Sequence, residues 1–157
     1  MTAQLTKPLP LNIDQFRKSD VRTQFAALCW RIKDGKVQVL LVTSRRTRRW
    51  IIPKGWPISD QSPSEAAATE AWEEAGAKGI VDERPLGIFS YVKDVGEDDG
   101  LPCVAMVYGL KVKSLSKAFP ESDERKRKWM TRKQAAAAVD APELSRILRD
   151  FDPRKQH

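Results

Sequence analysis

Residues 55–77 contain a helix whose two ends are both written into the chain. Ser62, Pro63, Ser64 and Glu65 supply an N-cap serine, a proline at the first helical position and a glutamate at the third, which together make a capping box. Gly76 stands where a left-handed residue closes a helix, so the pattern predicts a helix from Pro63 to Ala75. The same segment contains no lysine or arginine, although the chain holds 28. It does carry Asp60, Glu65, Glu70, Glu73 and Glu74. The last three follow i, i+3, i+4 spacing and share one side of the helix, read here as an exposed face. Like charges this close are mutually destabilising, and no cation in the segment relieves them. A hard divalent ion does. Carboxylates presented together to Mg2+ or Mn2+, beside basic groups that hold phosphate, are equipment for cutting a phosphoanhydride. Ala68, Ala71, Trp72 and Ala75 are expected on the opposite face, where small alanines allow close packing on a sheet.

Around this helix, short apolar runs read as strands. Residues 24–32 and 37–43 are joined by Lys33-Asp34-Gly35-Lys36, whose central Asp-Gly is a hairpin signal. The basic cluster at 44–49 follows, then Trp50-Ile51-Ile52 as a short strand stopped by Pro53. Stretches at 87–92 and 103–113 flank an acidic loop at 94–100, in which Glu97, Asp98 and Asp99 read as a solvated turn. Residues 125–130 read as a last short strand, Thr131 as the cap of a helix over 132–139, and 142–151 as a terminal amphipathic helix. Strands interleaved with helices, with hairpins among the strands, put the chain in the α/β class, with a mixed sheet between helices. Residues 1–22, polar and carrying Pro8 and Pro10, read as an N-terminal arm, and 23–157 as one domain.

The net charge of +7 points to polyanionic partners: nucleotides, polyphosphates, inositol phosphates or, less favoured, nucleic acid. Arg45, Arg46, Arg48 and Arg49 offer guanidinium forks that suit phosphate oxygens. The single histidine, His157, rules out histidine metal sites, serine or cysteine triads and histidine phosphotransfer. Cys29 and Cys103 lie inside apolar runs and read as buried small hydrophobes. The first residues lack the apolar core of a secretory signal and nothing approaches a membrane span, so a cytoplasmic protein is expected.

Residues 55–77 resemble the signature of the Nudix hydrolases: G, five residues, E, seven residues, R-E-U-x-E-E-x-G-U, with U bulky and aliphatic. Gly55 opens it, and Glu70, Ala71, Glu73, Glu74, Gly76 and Ala77 follow in register after Trp50-Ile51-Ile52-Pro53-Lys54. Ser44-Arg45-Arg46, Gly87-Ile88-Phe89 and Lys126-Arg127-Lys128-Trp129 are similar to one subgroup, the diphosphoinositol polyphosphate phosphohydrolases, which also cleave diadenosine polyphosphates. The resemblance implies an α/β/α sandwich and Mg2+- or Mn2+-dependent attack of water on a phosphoanhydride. It makes Glu70 and Glu74 metal ligands and puts Glu73 at the position of the subgroup's water-activating base, which across the family can also bind metal. It makes the backbone around Lys54 and Gly55 a holder of metal and phosphate, and Arg45, Arg46, Arg49 and Arg127 candidate phosphate-binding groups.

Two positions depart from the signature. Gln61 takes the first glutamate position and Thr69 the arginine position, where the family uses a cation to orient the carboxylates. Losing one acid and one base together keeps the local charge balanced and suggests a rearranged surrounding of the site. The competing expectation is a Nudix fold that binds polyphosphate or nucleic acid with little turnover.

Overall fold

The computed structural model describes residues 21–93 and 100–155. Most of the expected N-terminal arm, the acidic side chains of the 94–100 loop and His157 lie outside the described residues. The chain runs β1 (Arg22–Lys33), β2 (Lys36–Thr43), β3 (Trp50–Ile51), β4 (Lys54–Gly55), α1 (Pro63–Ala75), β5 (Ala77–Lys93), β6 (Leu101–Leu115), β7 (Arg127–Thr131), α2 (Arg132–Ala138) and α3 (Pro142–Asp150). The hairpin between β1 and β2 turns at Asp34 (φ 52°) and Gly35 (φ 78°), both left-handed, as a two-residue hairpin turn requires.

The sheet order is β3-β2-β1-β6-β5, with β4 paired to β1 and β7 to β2. β1 and β6 run parallel while β1 with β2 and β5 with β6 run antiparallel, so the sheet is mixed as expected. Alternation along β1 sends Ala26 and Leu28 to one face and Ala27 and Cys29 to the other. The first pair packs with Ala135, Leu144 and Leu148 of α2 and α3. The second packs with Ala67, Ala71 and Ala75 of α1. The result is a sheet between helical layers, the expected α/β/α sandwich.

α1 has the caps that its sequence encodes. Ser62 accepts the Glu65 N–H, Glu65 reaches back to the Ser62 N–H, and Gly76 closes the helix at φ 66°. Ala67, Ala71 and Ala75 are fully buried, which lets the helix axis approach the sheet closely. A leucine at Ala71 would overpack this contact at a cost of about 1–3 kcal/mol. Trp72, expected on this face, is only half-buried and stacks under the Lys78 ammonium at 4.5 Å.

β5 is far longer than the run 87–92 that the sequence suggests, because bulges absorb its polar middle. The register shifts between Lys78 and Gly79, Val81 and Pro85, and Pro85 and Gly87. Pro85 is tolerated there because β5 is an edge strand. β7 begins at Arg127 and not at Arg125, so two of the four basic residues precede the strand.

Candidate active site

β4 is two residues long and fixes the backbone of Lys54 and Gly55 against β1, Phe25 facing Gly55 and Ala26 facing Lys54. α1 returns over this backbone. A Cβ placed on Gly55 would stand 2.3 Å from the Glu70 Cδ and 2.5 Å from its Oε2, so glycine alone leaves room for that carboxylate. The Lys54 N–H donates to Glu74 Oε1 at 3.4 Å.

Glu74 is 6% exposed, which corrects the reading of the carboxylate face as solvated. It lies beside Ala71 and Ala75 on the side of α1 that packs inward. Burial pushes its carboxyl up to about 8, against the pull of Arg125 and then Lys54 toward the charged form. Burial likewise raises Glu70, with the Glu73 charge adding to it. The Lys54 ammonium sits 4.8 Å from the Tyr91 ring centre. Burial pushes it down to about 8 while Glu74 partly holds it up.

A cation arrives from outside the signature. Arg125 Nε donates to Glu121 Oε1 at 2.7 Å, and one terminal nitrogen donates to the Thr43 carbonyl at 3.0 Å. The other lies 3.6 Å from Glu74 Oε2, and both of these side chains are 7% exposed.

These groups open on a cavity of about 880 Å3. Lys54, Glu70, Glu74, Glu121 and Arg125 supply charged lining beside the Gly55 backbone. Arg45, Arg46 and Arg49 line it as expected, with Arg45 3.2 Å from Glu124 and Arg49 3.4 Å from Asp140. Trp50, Ile52, Trp56, Phe89, Tyr91 and Leu144 supply an apolar lining. Trp50 and Trp56 are therefore cavity residues, and Trp50 also packs against the core.

The NUDIX domain family matches residues 22–151. The chain belongs to the Nudix hydrolase family. It is 36% identical over 123 residues to "Nudix hydrolase 13, mitochondrial" of Arabidopsis thaliana, covering 75% of this chain and 61% of that protein. It is 35% identical over 106 residues to "Diphosphoinositol polyphosphate phosphohydrolase 3-alpha" of Homo sapiens, covering 66% of this chain and 60% of that one. The chain thus spans roughly three fifths of the length of these relatives. Among solved structures, a C. elegans Ap4A hydrolase shares the fold with a TM-score of 0.59 at 21% identity, covering 82% of this chain and 94% of that one.

Two expected Nudix site residues are placed differently. Glu73 is the signature carboxylate that does not line the cavity; its backbone carbonyl accepts the Glu121 N–H at 3.0 Å. Arg127 is also absent from the lining. Its guanidinium donates to the Ala75 carbonyl at 2.6 Å and lies 4.9 Å from the Phe119 ring centre. It therefore caps the C-terminal end of α1, where a cation complements the exposed carbonyls. Arg125 takes the cavity place expected of Arg127. Residues 125 and 127 have equal parity, so strand alternation does not distinguish them; the point where β7 begins does. Glu121 carries the weaker signal of standing four residues before Arg125 in a turn.

Among the described residues no group of three or more histidine, cysteine or acidic side chains is gathered to hold a metal ion. The pair still suits Mg2+, which keeps several waters and is usually bound by one or two carboxylates together with substrate phosphates. Glu70 and Glu74 both line the cavity, and the missing side chain at Gly55 leaves room for the Glu70 oxygens against the backbone. The donor set fits.

Proposed function

We propose that the chain is a Mg2+- or Mn2+-dependent pyrophosphohydrolase that cleaves a phosphoanhydride in a highly phosphorylated small molecule, of the diadenosine polyphosphate or inositol pyrophosphate class. One observation carries the reading: Glu70 over Gly55 and Glu74 at the Lys54 N–H meet in a cavity that Lys54, Arg125 and three further arginines also line. In it, Glu70 and Glu74 hold the ion, which when bound supplies Lewis-acid polarisation of the phosphoryl oxygens. Lys54, Arg45, Arg46 and Arg49 hold and orient the phosphate chain through charge-assisted hydrogen bonds. A carboxylate takes the proton of the attacking water, with Glu73 assigned that role by the resemblance.

Of the two substrate classes, the apolar lining favours the one that carries a nucleobase. Trp50 and Trp56 place indole rings on the cavity wall, and stacking there on a base would contribute about 1–3 kcal/mol. An inositol bearing only phosphates has nothing to place there. Phosphate release with Mg2+ present, measured across diadenosine polyphosphates, inositol pyrophosphates, nucleoside diphosphate sugars and 5′-triphosphorylated RNA, tests the reading. Faster turnover of the diadenosine series supports it; tight binding without turnover of any of them supports the sensor alternative.

A further inference from the structure

Thr69 leaves the signature of this chain without its arginine, yet Glu74 is buried and faces a cation. That cation is Arg125, brought from a separate segment, and its three nitrogens are engaged separately. One holds Glu121 at 2.7 Å, one the Thr43 carbonyl at 3.0 Å, and the third faces Glu74 Oε2 at 3.6 Å. The Thr43 contact ties the guanidinium to the end of β2, a rigid sheet element, and Glu121 fixes its plane. A lysine has a single charged nitrogen on a flexible stem and reproduces neither the fork nor the three directions.

We propose that Arg125 is a positioning residue for the metal ligand Glu74, filling in space the role that the arginine absent at position 69 has in the signature. The inference rests on the reading of Glu70 and Glu74 as the metal pair. Arg125 acts through Glu74. Without it, the Glu74 side chain keeps its contact with the Lys54 N–H and loses what aims Oε2.

Mn2+ binding to the metal-free protein, read by titration without substrate, separates this from other roles. The proteins compared are wild type, Arg125→Gln, Arg125→Lys and Glu74→Gln, each checked by thermal melting. Arg125→Gln should weaken Mn2+ binding by about 10–100-fold, the usual effect of losing a residue that orients a metal ligand. It should lower kcat by a similar factor with KM for the phosphorylated substrate little changed. Arg125→Lys should show the same pattern at smaller amplitude, and it keeps the test open if the glutamine variant does not fold. Unchanged Mn2+ affinity with a raised KM would make Arg125 a substrate-phosphate group and overturn the proposal. Tighter Mn2+ binding would show that the guanidinium competes with the ion, and would overturn it too. If Glu74→Gln leaves Mn2+ binding intact, the failure belongs to the metal-pair reading itself, and the proposal falls with it.

Discussion

Thr69 donates its hydroxyl to Gln61 Oε1 at 2.9 Å, so the two residues that depart from the Nudix signature are each other's partner. An acid and a base have been exchanged for a neutral hydrogen-bonded pair in the same place. The pair ties the residues leading into α1 to the helix surface and needs no charge to do so. Because the contact is exposed, Thr69→Val should lower stability by about 0.5–1.5 kcal/mol and leave kcat nearly unchanged. Gln61→Glu together with Thr69→Arg should regain that stability, whereas Thr69→Arg alone should not. Chemical denaturation of the three variants with steady-state kinetics checks this; a large loss of kcat in Thr69→Val would contradict it.

Stability of the metal-free protein should depend on pH through Glu74 and Lys54. Glu74 titrates at about 8 in the fold and at about 4.3 when unfolded, so between those values the folded protein binds more protons. Its contribution is full below about 4.3 and is lost as pH rises through 8. Lys54 runs the other way, titrating at about 8 folded against about 10.4 unfolded, and restores stability above 8. Glu74→Gln keeps the neutral shape and removes the first arm. Melting curves from pH 5 to 8 should therefore fall more steeply for wild type than for Glu74→Gln, with the variant the more stable at pH 8. Parallel curves would contradict this.

Gly55 is held to glycine by a side chain, not by its own backbone angle. Gly55→Ala brings a Cβ onto the Glu70 carboxylate, and the end of a flexible side chain yields more readily than a strand. The variant should fold, with Glu70 displaced. Circular dichroism should match wild type while Mn2+ affinity and turnover both fall. Retained affinity would mean that Glu70 is not a ligand.

Two carboxylates, Glu70 and Glu73, compete for the role of base. Glu70 lines the cavity and Glu73 does not. If Glu73 takes the water's proton, Glu73→Gln should lower kcat while leaving Mn2+ affinity intact, and Glu70→Gln should lower both. Metal titrations run beside single-turnover kinetics distinguish the two. A Glu73→Gln protein with wild-type kcat would pass the role to another carboxylate on the cavity wall.

Much of this architecture is legible in the chain because local signals and tertiary packing agree. The capping box at Ser62, the left-handed Gly76 and the Asp34-Gly35 turn each specify their element without help from distant residues. β5 is not legible at full length, because its pairing with β6 carries Asp82, Glu83 and Arg84 through bulges that local propensity reads as a break. The burial of Glu74 is hidden for a different reason. Its i, i+3, i+4 companions suggest a solvated face, and only the arrival of Arg125 and the Lys54 backbone makes the inward position tolerable. Arg125 itself is contributed across a sequence separation of about fifty residues, which no periodicity records.

Glu74 is proposed to belong to a metal site that hydrolyses phosphoanhydrides. The most direct measurement is phosphate release from a diadenosine polyphosphate by wild type and Glu74→Gln, each titrated with Mg2+ and Mn2+. Wild type should turn over only when the ion is present, and Glu74→Gln should lose activity by orders of magnitude with its circular dichroism unchanged. Near-normal activity in Glu74→Gln, or a wild type that releases phosphate equally well without a divalent ion, would contradict it.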